Sequence, residues 1–281
     1  MLPSNILGIL FALTSAIVWG SGDFTGGYAT RRSSQYQILA VSALSGLIVL
    51  VIAALISRET FPSVRGALWS MLAGASGALG IAAFYRALSI GHNATVAPTA
   101  AVIGAIFPVV FNIFTVGFPS TIQMIGFGLA FAGIWLVSTN QSSDVAVPRQ
   151  AFVLACLAGI GFGGFFISIG QVDQGKIFTP LIIARSLTFC TGIVLIKLNR
   201  QIIPALTANP LALLAGVLDA GGNLFYILAK QFTRLDIAAV LASLYPASTV
   251  ILAAIILKEK ITHLQVIGVL VCLGAIGLIT I

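Results

Sequence analysis

The sequence has very little charge. Of 281 residues, 7% are Asp, Glu, Lys or Arg and 59% are apolar, whereas a soluble domain carries roughly a quarter charged residues. Such a chain cannot cover a water-facing surface, which excludes an ordinary soluble fold. It also lacks the groupings that most enzymes need: there is no His-x-x-x-His, no Gly-x-Ser-x-Gly and no pair of neighbouring aspartates. Cys156, Cys190 and Cys272 fall in apolar runs without C-x-x-C spacing, and are expected to be buried and inert. His92 and His263 stand apart, so no metal site is expected. No cofactor is implied either, since Gly26-Gly27 and Gly163-Gly164 neither follow a strand nor carry a P-loop lysine. Met1 to Asn5 lack the basic flank of a cleavable signal, and the apolar run after them is expected to be a retained helix.

What the sequence does have is apolar length. Runs at 6–28, 36–57, 66–88, 94–116, 121–140, 150–171, 178–198, 208–230, 237–258 and 262–281 are each near the roughly 20 residues that span a bilayer core. The expectation is an all-α polytopic membrane protein with ten transmembrane helices. The net charge of +7 is scattered at the ends of these runs, where cations meet lipid headgroups. No basic cluster is interleaved with stacking aromatics, so no nucleic acid is expected.

The polar connection Thr139 to Asp144 lies at the midpoint, and the two halves resemble each other. At an offset of 143, Ala12, Ile17 and Gly20 meet Ala155, Ile160 and Gly163, while Trp19 meets Phe162. At 142, Leu72-Ala73-Gly74 meets Leu214-Ala215-Gly216, and Gln123-Met124-Ile125-Gly126 meets Gln265-Val266-Ile267-Gly268. The repeat units are residues 1–140 and 150–281. With five helices each, the second must enter the membrane from the opposite side, giving the inverted repeats common in secondary transporters.

Several stretches resemble EamA-type members of the drug/metabolite transporter superfamily. They are Ala242-Ser243-Leu244-Tyr245-Pro246, Leu257-Lys258-Glu259-Lys260-Ile261-Thr262 with Gln265 to Gly268, Ala16 to Gly20, and Phe84 to Leu88. The resemblance implies a ten-helix bundle whose cavity is lined by helices 1, 3, 4, 6, 8 and 9. It also implies export or exchange of small metabolites. Two positions depart from the family pattern: Gly117 stands where the first repeat would carry glutamate, and Asp23 stands in the opening motif.

Helix eight carries the strongest local signal. Asp219, Asn223, Tyr226 and Lys230 share one narrow arc. An ionised carboxylate in mid-membrane costs at least ~2.5 kcal/mol, which favours a cavity wall binding a cation or proton over a purely structural hydrogen-bond set. Arg185 either snorkels to the interface or pairs with Asp219; a structural role is preferred. Trp19 is a candidate for stacking on solute. Asp23 is either a coupling site or an interfacial partner of Arg31, since Ile6 to Asp23 is about 25 Å of helix. Tyr85, Thr99, Phe162 and Tyr245 complete the candidate substrate contacts, and Asp23 and Asp219 are the candidates for coupling or gating. No catalytic residue is assigned. Pro98 and Pro246 lie inside helices four and nine, where each removes a backbone bond. Glu259 is expected to cap helix ten.

These features favour a secondary transporter of an amino acid, amine or aromatic compound, with protons as candidate co-substrate and the lipid bilayer as its solvent. A lipid-acting membrane enzyme and a channel-like protein are the alternatives. One chain suffices for a cavity, and a plasma or inner membrane is expected. The charge count opposes the family on orientation. With both termini inside, cations in the inner connections (Arg58, Arg65, Lys176, Lys230, Arg234) are fewer than those outside, whereas the resemblance implies cytoplasmic termini.

Overall fold

The computed structural model describes residues 4–90, 93–138, 148–258 and 261–280. Among these, every regular element is helical. Helices α1 (Ser4–Ala29), α2 (Gln35–Ile56), α3 (Val64–Ile90), α4 (Asn93–Thr115) and α5 (Thr121–Ser138) form the first half. The second half comprises α6 (Arg149–Ile169), α7 (Phe178–Leu198), α8 (Pro210–Phe232), α9 (Leu235–Ala242), α10 (Tyr245–Ile256) and α11 (His263–Ile279). Eight segments, with α9 and α10 taken together, are long and apolar enough to cross a membrane. Two further apolar stretches, Thr99–Thr115 and His263–Ile279, are shorter. Large apolar side chains such as Leu55, Leu79 and Phe114 are more than 70% exposed, as expected where lipid is the solvent. This is a multi-pass integral membrane protein.

The expected ninth helix, 237–258, is not continuous. α9 ends at Ala242, and Ser243 and Leu244 form a turn before α10 begins. Pro246, in the first turn of α10, has no N–H to continue the ladder. Helix α4 also contains a proline, Pro108, yet it is unbroken. The expectation of three buried cysteines also needs correction: Cys272 is buried, Cys156 intermediate and Cys190 exposed. Glu259, His92 and the midpoint connection at 139–144 fall outside the described residues. α11 is capped by Thr262 and Gln265, which satisfy each other's backbone N–H groups.

The packing repeats when the halves are exchanged. α1 lies on α8 as α6 lies on α3, α2 on α8 as α7 on α3, and α4 on α6 as α9 and α10 on α1. α2 with α7 and α5 with α11 are each their own counterparts. Two pairs of glycines show this residue by residue, each at a close approach between helices. A side chain on Gly126 would strike Ile279, and one on Gly268 would strike Val137. Likewise Gly74 abuts the carbonyl of Ala184, and Gly216 that of Ser42. Every partner in these pairs is shifted by 142 positions.

Candidate functional site

Asp219 lies in the middle of α8, and its carboxylate forms an ion pair with Arg185 of α7. The Arg185 side chain is 13% exposed and that of Asp219 37%. A second Arg185 nitrogen donates to the Ser42 carbonyl at 3.3 Å, while its Nε is buried without a partner. Gly46 makes the room, since a Cβ there would stand 3.1 Å from Nε and from Nη2. Asn223 Nδ2 donates to the Asp219 carbonyl at 2.6 Å and to its carboxylate at 3.3 Å. A cavity of about 30 Å³ beside the pair is lined in part by Asn223, Arg185, Thr188 and Phe165. Of the two readings of Arg185, pairing is the one observed.

α1 runs antiparallel to α8, with Gly8 against Thr233, Gly22 against the Asp219 backbone and Gly26 against Ala215. This register puts Asp23 at the level of mid-α8. Asp23 is exposed and lies within electrostatic range of Asp219 and Tyr245. Arg31 stacks over the ring of Tyr28 at 4.8 Å. Close by, Gly20 lets α1 approach α10, where a Cβ would meet the Tyr245 carbonyl at 2.5 Å. Thr249 Oγ1 donates to the Gly20 carbonyl at 3.0 Å.

Trp19, Phe166 and Tyr226 form an aromatic cluster with ring centroids 5.0–5.9 Å apart. The Tyr226 hydroxyl donates to the Phe166 carbonyl at 3.0 Å, which satisfies a fully buried polar group. Trp19 and Tyr226 are therefore buried in the packed cluster. Phe162 packs on Gly80 and, edge-on, on Phe84 with centroids 5.9 Å apart. Thr99 is buried in α4, Tyr245 is half-buried, and the side chain of Tyr85 lies outside the described set.

A larger cavity of about 690 Å³ lies at the end of the bundle where α1 begins. It borders Asn5, Asn112, Gln171 and the α8–α9 connection around Arg234. Arg234 holds Asp236 bidentately at 2.9 and 3.1 Å and donates to the Gly117 carbonyl at 2.8 Å. Asp236 is fully buried in the first turn of α9 and also accepts from the Ile237 amide at 2.9 Å. Sequence reasoning passed over this pair because it sits between the assigned runs 208–230 and 237–258. The legible signal was an acid two residues after an arginine at a helix start.

The connections at the two ends are joined by related contacts. At the end where α1 begins, Glu59 accepts from the Ile177, Phe178 and Thr179 amides at 2.7–3.2 Å, and from the Thr179 hydroxyl. Burial raises the Glu59 carboxyl, but these bonds outweigh it and hold the group below its ordinary value. Asp173 accepts from the Ser63 amide and hydroxyl, and these bonds lower its carboxyl as well. At the opposite end, Gln201 stands 142 positions after Glu59. It accepts from Ser34, the N-cap of α2. One joint is thus ionic and its counterpart neutral.

The α-helices of the described residues, packed as two exchangeable halves, apolar outside and ionic within, define a polytopic membrane protein built on an internal duplication. The EamA-like transporter family matches the chain twice, over residues 6–139 and 149–281. The chain belongs to that family, whose members are membrane transporters of small solutes. A solved crystal structure matches with a TM-score of 0.75 at 15% identity, covering 96% of this chain and 95% of that one. At that identity it speaks for the fold alone. No curated protein matches the chain.

Proposed function

We propose that the protein is a secondary transporter of an amino acid, amine or aromatic compound. It works by alternating access between two inverted five-helix units, residues 1–140 and 150–281, with ten crossings in all. The observation that carries this reading is the partly exposed Asp219–Arg185 pair with Asp23 beside it, set where the two halves meet. Arg185 orients Asp219, and Asp219 with Asn223 contacts solute. Asp23 is the coupling or gating carboxylate. Trp19, Tyr226 and Phe166 close the end where α1 begins, and the first two reach solute when that end opens. Phe162, Thr99 and Tyr245 line the remaining path.

The symmetry of the halves supports the gate. Asp23 stands 143 positions before Phe166, so a carboxylate takes the place that an aromatic ring fills in the closed cluster. Uptake of a panel of radiolabelled solutes into proteoliposomes tests the reading. Asp219→Asn is expected to abolish uptake, and Asp23→Asn to flatten its pH dependence. Normal uptake with an unchanged pH profile in Asp219→Asn overturns the role of Asp219. Solute movement without proton flux removes proton coupling. Following the family resemblance against the charge count, both termini are placed in the cytoplasm of a cell with this protein in its plasma or inner membrane. An Asn140→Cys protein labelled by an impermeant maleimide in intact cells is the expected outcome.

A further inference from the structure

The cavity of about 690 Å³ at the end where α1 begins is walled by cations and by donors that lack acceptors. Lys230, Arg234, Asn112, Gln171, Gln231 and Thr233 all border it. Asn112 is 2% exposed, and its Nδ2 has no partner. Gln231 Nε2 and Thr233 Oγ1 are buried and unpartnered as well. Lys230 forms no ion pair among the described residues. Arg234 is matched by Asp236, which lies outside the lining. No acidic side chain borders the cavity among the described residues. Buried donors without acceptors are costly, and in native proteins they are commonly answered by a ligand or an ion. The remaining wall is apolar, with Phe111, Val116 and Leu235.

We infer that this cavity is an entry site for the carboxylate of an apolar or aromatic small molecule. Lys230 supplies the charge, Asn112 and Gln231 supply hydrogen bonds, and the apolar wall receives the body of the ligand. The volume lies in the range of small-molecule sites, roughly 300–1,000 Å³. Lys230 is eleven residues from Asp219, about 16 Å along the helix. One small solute therefore cannot touch both at once, and the cavity is a separate station from the Asp219 centre. The inference rests on the transporter reading only in making the bound carboxylate the transported solute. It narrows that solute to compounds with a carboxylate and disfavours simple amines.

The test uses 3-phenylpropionate, phenylalanine and phenethylamine, three compounds of one shape that differ in charge. Binding to the full chain is measured by equilibrium dialysis in phosphatidylcholine nanodiscs. The two carboxylates are expected to bind and the amine to bind at least about tenfold more weakly, as loss of one charge-assisted contact would give. Lys230→Gln should weaken carboxylate binding by a similar factor with an unchanged melting temperature, and Lys230→Arg should restore most of it. Equal binding of the amine, no binding of either carboxylate, or unaltered binding by Lys230→Gln overturns the site. Loss of carboxylate binding when the nanodiscs contain phosphatidylglycerol would assign the cavity to a lipid phosphate and overturn it too. Counterflow in proteoliposomes separates the two readings. Carboxylate binding without counterflow of any solute would sink the transporter and keep the site. Counterflow unaffected by Lys230→Gln would sink the site and keep the transporter.

Discussion

The indole of Trp19 fills the space that Gly222 leaves by having no side chain. The counterpart pair, Phe162 on Gly80, repeats the arrangement in the other half, with the nearest ring atom 3.0 Å from where a Cβ would stand. Trp19 is 8% exposed and cannot swing away without breaking its contacts with Phe166 and Tyr226.

Gly222→Ala is therefore expected to destabilise the protein by about 1–3 kcal/mol, the usual cost of overpacking. Gly80→Ala should cost less, because the overlap there is with the edge of a ring. Thermal unfolding in detergent measures both. Trp19→Phe in the Gly222→Ala background should recover part of the loss. An unchanged unfolding temperature in Gly222→Ala would mean that the helices are not this close.

The Arg185–Asp219 pair allows packing and function to be separated. Removing one partner strands the other charge, at about 3–5 kcal/mol for a fully buried pair. Because Asp219 is 37% exposed, a loss of roughly 2 kcal/mol is expected for Asp219→Leu. The double variant Arg185→Met with Asp219→Leu should regain most of that stability and still show no uptake. Recovery of uptake along with stability would reduce the pair to a structural element.

Arg234 and Asp236 should respond more sharply, since Asp236 is fully buried. Asp236→Ala leaves the arginine without its bidentate partner and is expected to cost about 3–5 kcal/mol. Adding Arg234→Met should relieve most of it. Equal melting temperatures for the single and double variants would show that the charge of Arg234 is already solvated.

Glu59 gives a pH dependence with a definite sign. Its carboxyl is lowered in the folded protein, so its contribution is complete above the ordinary carboxylate value near 4.5 and is lost as pH falls below it. The wild-type melting temperature should therefore fall on acidification through that range. Glu59→Gln should lower the melting temperature at neutral pH and reduce the acid-dependent loss. An identical acid profile in the variant would assign that loss to other carboxylates.

Much of the fold was legible because the bilayer forces length and apolarity onto every crossing. The run 178–198 coincides with α7, and most other boundaries move by one or two residues. The repeat was legible because small residues mark close approaches, and Gly126, Gly268, Gly74 and Gly216 are glycines for the same steric reason in both halves. The break at Ser243 and Leu244 was not, since a proline alone does not say whether a helix stops; Pro108 does not interrupt α4. Within the site, the helical arc drew attention to Asp219 and Asn223. It also drew in Tyr226, whose ring is covered by Trp19 and Phe166; periodicity gives a face but not what covers it. Asp236 went unseen for the opposite reason. It falls in the short gap between two assigned runs, and its spacing from Arg234 does not tell that the carboxylate is fully buried.

The broken ninth helix has a mechanical consequence. α4 is one continuous helix. α9 and α10 instead meet at a short turn held by single bonds, Leu244 to Leu241 at 3.2 Å and Ala247 to Leu244 at 3.0 Å, and Pro246 contributes no N–H to stiffen it. Below this joint α10 lies against Gly20 of α1, and above it α9 carries the buried Asp236. A tilt at Ser243 would change the angle between these two attachments without unwinding either helix. Two halves whose helix packing otherwise repeats thus differ at this joint, and any rocking between them has its elbow in the second.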